Sequence, residues 1–112
     1  MPVPTIICFA VAAAVGLTAA IAHLSGRTPG IPVALIHGLF AATGLILVIS
    51  LVLRSPVAGL GLYALVFFLV AAVGGFVLFS FHLRKKVLPR GLIVGHGLLA
   101  VAGFVLLLLW VL

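Results

Sequence analysis

The sequence predicts an all-α fold: an integral membrane four-helix bundle made of two duplicated helical hairpins, a parallel repeat. Three observations predict it. The chain has 112 residues, 67% of them hydrophobic, with six Lys and Arg and no Asp or Glu. A soluble domain of this length needs a charged shell, and this composition has nothing to make one from. Second, the apolar residues fall into four runs, each reaching the ~20 residues needed to cross a hydrocarbon core. A barrel strand needs only about 10 residues and alternates in polarity, so the runs read as helices. Third, the chain repeats itself. Residues 37–44 read His-Gly-Leu-Phe-Ala-Ala-Thr-Gly and residues 96–103 read His-Gly-Leu-Leu-Ala-Val-Ala-Gly, one pattern written twice at an offset of 59. Laying 1–53 over 60–112 without a gap gives 15 identities and aligns all four histidines, His23 on His82 and His37 on His96. Common apolar residues explain some identities. They do not explain the histidines, and an internal duplication does.

The elements follow in order. Residues 3–24 form the first helix, behind Pro2 and Pro4. A signal peptide would open with a basic stretch and have a shorter apolar core. This run has neither feature, and it matches residues 62–83 in register, so it reads as a helix that stays. Residues 25–32, Ser-Gly-Arg-Thr-Pro-Gly-Ile-Pro, are a loop dense in helix breakers. The second helix covers about 32–53, with Pro32 suited to a first turn. Arg54-Ser55-Pro56 is a tight connection. The third helix covers about 57–83, residues 84–90 form the last loop, and the fourth helix covers about 91–112. The chain is one transmembrane domain, 1–112, with no room for a second. Cys8 is the only cysteine, so no internal disulfide is available.

Four crossings with short loops put both termini on one side. The other side holds Arg27, Arg84, Lys85, Lys86 and Arg90, against Arg54 and the N-terminal amine. Positive charge marks the cytoplasmic side, so both termini are expected outside a bacterial-type inner (plasma) membrane, with the two long loops inside. Trp110 then sits at the outer interface, where Trp is at home. The formal charge of +6 does not point to nucleic acid, because the basic residues are few and lie in loops between apolar runs. The two hairpins are expected to be related by a pseudo-twofold axis along the membrane normal.

The histidines fall near the loop end of every helix. Each has a glycine seven residues closer to the midplane: Gly16, Gly44, Gly75 and Gly103. Seven residues is nearly two turns, so each glycine lies on its histidine's face, roughly 10 Å deeper. Small residues at such spacing also let membrane helices approach with no ligand at all. A histidine near a helix end also reaches headgroups. Four histidines, paired by the repeat and the only basic or acidic side chains of the Lys, Arg, His, Asp and Glu set inside the spans, favour a shared ligand-binding role.

Neutral imidazole is a common metal ligand and the usual axial ligand of haem b. A bare ion held without carboxylate or thiolate leaves its charge uncompensated in a low dielectric. Haem spreads the charge over the macrocycle and its propionates, and the basic residues lie at the same end. No Cys-x-x-Cys-His is present, so c-type attachment is excluded. The expected axial ligands are His37 with His96 first, and His23 with His82 second. Gly44, Gly103, Gly16 and Gly75 are expected to make room for the ring. Arg27, Arg84 and Arg90 are expected at the propionates.

With four short-looped spans, one histidine per helix and glycine nearby, the chain resembles the four-helix membrane b-type cytochromes of the cytochrome b561 kind. The resemblance implies haem ligands paired between alternate helices, here His23 with His82 and His37 with His96. It departs from that family in one respect: the family's two haems sit near opposite faces, whereas all four histidines here lie near one face. The expectation is a bis-histidine haem b protein, with one or two haems, for electron transfer. It would act alone or as a subunit of a respiratory or redox complex, and not as an enzyme. Its partners are the lipid bilayer and a quinone or other complex subunits, in a hetero- or homo-oligomer. The alternative is a cofactor-free structural or assembly subunit. A small transporter is disfavoured, because nothing acidic exists to carry protons or cations through the core.

Overall fold

The computed structural model describes residues 2–57 and 59–112. It is all-helical: α1 Pro2–Leu24, α2 Ile31–Arg54, α3 Gly59–Leu83 and α4 Arg90–Val111. The expected helix ends agree to within two residues. α2 starts behind Gly30, with Pro in its first turn, where a missing N–H costs nothing. α3 starts at Gly59 rather than 57, beyond Pro56, and Gly59 itself has a positive φ of 46°.

The ends of α1 and α3 are built alike. Gly26 has φ 82°, its N–H bonds the carbonyl of His23, and the Arg27 N–H bonds the carbonyl of Ala22. Lys85 has φ 55°, its N–H bonds the carbonyl of His82, and the Lys86 N–H bonds the carbonyl of Phe81. This pair of bonds is the Schellman cap, which satisfies the last carbonyls and needs a left-handed residue. Glycine takes that conformation freely, whereas lysine does so at a steric cost.

All four helices are long and apolar enough to cross a membrane, with hydropathies of 2.3 to 2.6. The molecule measures 45 × 22 × 20 Å. α1 packs chiefly on α2, and α3 chiefly on α4. α2 meets α3 and α1 meets α4 more lightly, while α1–α3 and α2–α4 stand on the diagonals. The outer faces carry large apolar side chains, among them Leu39, Phe76, Leu98 and Leu109.

The buried positions recur at the offset of 59: Thr5 and Ala64, Phe9 and Phe68, Ala12 and Ala71, Gly44 and Gly103, Val48 and Leu107. The centre of the core is Phe9 stacked on Phe68, with ring centroids 4.1 Å apart and planes 4° from parallel. These two rings come from diagonal helices. Around them close Val48, Ala64 and Leu107, with Trp110 packed against the cluster.

Candidate cofactor site

Above the phenylalanine stack, toward the two capped loops, the histidines meet in pairs. His37 of α2 faces His96 of α4 with ring centroids 6.0 Å apart and planes at 77°. His23 of α1 faces His82 of α3 at 5.7 Å and 88°. Both pairs join helices on the diagonals of the bundle. All four rings are half-buried.

The two pairs are held differently. His37 Nδ1 lies 2.7 Å from the carbonyl oxygen of Ala12, and His96 Nδ1 lies 2.7 Å from that of Ala71. A carbonyl has no proton to give, so in each bond Nδ1–H donates. The neutral ring then keeps Nε2 as its bare nitrogen. No other residue among those described hydrogen-bonds to Nε2 of either ring. His23 and His82 make no ring hydrogen bond to any described residue.

The glycines explain how a histidine reaches a helix backbone. Gly16 is one turn beyond Ala12, and Gly75 one turn beyond Ala71. A Cβ on Gly16 would stand 2.7 Å from His37 Cε1 and 2.8 Å from Nδ1. A Cβ on Gly75 would stand 3.1 Å from His96 Cε1. The absent side chain uncovers the carbonyl and gives the ring a seat. Gly16 and Gly75 therefore serve His37 and His96 across the hairpin, rather than the histidines of their own helices.

Gly44 and Gly103 do not face an open groove. A Cβ on Gly44 would lie 2.9 Å from Phe9 Cε2, and one on Gly103 would lie 3.0 Å from Phe68 Cε1. The phenylalanine stack fills the hollows that the sequence pattern suggested for a ligand. Its rings form a floor beneath His37 and His96, seven residues or about 10 Å down α2 and α4. The physical reason is common to all four glycines. Each seats a ring from its hairpin partner, which lets the two helices of a hairpin close tightly.

The arginines stay at the rim. Arg27 is exposed and lines an outer cleft of about 270 Å³ with Thr18, Ile21, Ala22 and Ser25. Arg84 folds back on its own helix, with Nε and Nη2 on Ser80 and the guanidinium 4.8 Å above the Phe81 ring. Arg90 opens α4 and is exposed. None of the three is brought between the histidine rings. A larger cleft of about 510 Å³, lined by Tyr63, Phe67, Ala102, Val105 and Leu106, includes no histidine.

Among the described residues, no three His, Cys, Asp or Glu side chains converge on one point. The protein thus offers two-donor sites. Such a site suits a metal whose remaining ligands come from outside the protein. Ala12 and Ala71 read from the sequence as small residues continuing the glycine stripe, and what sequence reasoning missed is that their carbonyls fix the rings, together with the whole part of Phe9 and Phe68. Phe9 and Phe68 are identical at the repeat offset, and that was the available signal. Comparison with protein-family models, with curated proteins and with solved structures finds no match to this chain.

Proposed function

We propose that this chain is an integral membrane b-type haem protein, with His37 and His96 as axial ligands, that carries electrons. The observation that carries the reading is the geometry of that pair. Metal-bound histidine almost always donates its other N–H to a carbonyl or carboxylate, which fixes the tautomer and the ring's direction. His37 and His96 have that arrangement before any metal is considered. His37 and His96 would have to hold their ring centres about 6 Å apart to share one iron, with metal–nitrogen bonds of about 2 Å. The observed separation is 6.0 Å. The donor set, two neutral imidazoles each with a bare Nε2 and each seated on small residues (Ala12 and Gly16, Ala71 and Gly75), suits the axial positions of a haem. Iron held this way has both axial positions filled, so the haem would supply one-electron transfer rather than oxygen chemistry.

The proposal extends to placement. The four apolar helices support a multi-pass membrane protein, and the basic loops beside the histidines support a cytoplasmic position for that end. On this reading the four-helix arrangement resembles that of the four-helix b-type cytochromes. A quinone or a second redox subunit is the partner class this chemistry needs. The test is haem titration of the purified protein in detergent. The wild type is expected to give a low-spin spectrum that His37→Ala or His96→Ala abolishes. A low-spin spectrum surviving the double change would contradict the assignment.

A second reading is a cofactor-free structural subunit. The observation favouring it is the filling of the Gly44 and Gly103 hollows by Phe9 and Phe68. Under it, haem added in titration stays unligated and the histidine variants behave as the wild type.

A further inference from the structure

Resting on the haem reading above, we infer that the bundle holds one haem and not two. His37 and His96 ligate it, and His23 and His82 are hydrogen-bond donors to its propionates. Ring separation does not distinguish the pairs, since 5.7 Å and 6.0 Å both suit a shared metal. Spacing along the bundle and anchoring of the rings do.

The spacing comes from the seats. The His37 ring lies against Gly16 on α1, and His23 is seven residues farther along the same helix. The His96 ring lies against Gly75 on α3, and His82 is again seven residues farther. Seven residues rise about 10 Å, so the two histidine layers are about 10 Å apart. A porphyrin is about as wide as an α-helix with its side chains, roughly 10 Å. An axial pair spanning a diagonal of the bundle stands the ring on edge, along the bundle axis. A ring centred on the lower pair would reach about 5 Å, half-way to the upper layer, and the propionates beyond its rim would extend into that layer. A second ring centred on His23 and His82 would stand on edge in the same column, turned by a quarter, and the two rims would meet about 5 Å from each centre, with no room for the side groups each rim carries. Only one centre can be occupied.

The anchoring selects which. His37 and His96 each have Nδ1 tied to a backbone carbonyl, and His23 and His82 have no such tie among the described residues. The lower pair is thus oriented for metal, while the upper rings are free to turn both nitrogens toward a ligand. The floor agrees, because Phe9 and Phe68 close the space below and offer nothing to a carboxylate. The polar edge of the haem must then point up, into the layer where His23 and His82 meet. The arginines at the rim lie beyond that layer, so the histidines are the first donors the propionates meet.

The test compares haem stoichiometry and haem retention in the full chain. Wild type is expected to bind one haem per chain, and His23→Ala/His82→Ala is expected to keep one low-spin haem with unchanged axial signature by electron paramagnetic resonance. Its haem should transfer to a high-affinity acceptor faster, on the order of tenfold for each lost charge-assisted hydrogen bond. His23→Gln/His82→Gln should restore retention, because the amide still donates to a carboxylate and cannot serve as an axial ligand. Two haems per chain, or a low-spin signal lost in the Ala or the Gln variant, would overturn the inference and leave the haem reading standing. No haem bound by wild type would overturn both. Equal haem loss in the Ala variant and wild type would also overturn it.

Discussion

Replacing Gly16 by Ala tests the anchoring of His37 directly, and without any cofactor. The new Cβ would stand 2.7 Å from His37 Cε1 and 2.8 Å from Nδ1, where ordinary contact begins at 3.4 Å. Every atom the new Cβ would meet belongs to the His37 side chain, so the ring itself has to retreat, by about 0.7 Å. That lengthens a bond now 2.7 Å long to about 3.4 Å, past the range of a good N–H···O bond. A half-buried N–H left unmade costs about 1–3 kcal/mol. Gly75→Ala is the built-in comparison. Its Cβ would stand 3.1 Å from His96 Cε1 and 3.7 Å from Nδ1, so a retreat of about 0.3 Å suffices and the bond survives. The assay is nitrogen NMR of labelled histidine in detergent, with thermal unfolding alongside. Wild type is expected to show Nδ1–H tautomers for His37 and His96. Gly16→Ala should lose the His37 signal and destabilise the bundle, and Gly75→Ala should keep the His96 signal. If Gly16→Ala keeps the His37 tautomer and full stability, the seat argument is wrong. It is equally wrong if the two variants are indistinguishable.

Further outcomes are expected. Lys85→Gly should stabilise the protein by about 0.5–1 kcal/mol in reversible unfolding, because it relieves a left-handed lysine at a position where the first repeat has Gly26. Destabilisation would show that Lys85 makes a contact worth more than the strain. Gly38→Ala and Gly97→Ala should be tolerated or mildly stabilising, since a Cβ at either meets nothing within 4 Å, whereas Gly44→Ala should destabilise by pressing on Phe9. The three melting temperatures in one detergent decide this. Reporter fusions at the C-terminus and within residues 84–90 should place the loop in the cytoplasm and the C-terminus outside. A reporter active only outside the membrane, active in the loop and silent at the C-terminus, would reverse the orientation.

The fold was legible because its signals are local. Four apolar runs, the Pro32 start and the Gly26 stop place helices to within two residues, and the repeat alone pairs His23 with His82 and His37 with His96. What was illegible is which helix each small residue faces. Periodicity along α2 puts Gly44 on the face of His37, but it does not say what the facing helix sends there. The answer is the Phe9 ring, and by the same logic Gly16 receives His37 and not a ligand held by His23. Seats of this kind are contacts between different helices, set by the offset of one helix against the next, and a single helix's spacing does not encode that offset. Arg84 is a similar case: its place on the loop side was readable, but its fold back onto Ser80 and Phe81 depends on its rotamer.

The central claim is that His37 and His96 hold haem iron. Its most direct measurement is the absorption spectrum of the protein purified in mild detergent from cells supplied with haem precursor, before and after dithionite. The account predicts a Soret band as isolated and a sharp α-band on reduction, lost together in His37→Ala/His96→Ala. A well-folded, monodisperse wild-type protein with no Soret band, and none after haem is added, would contradict it.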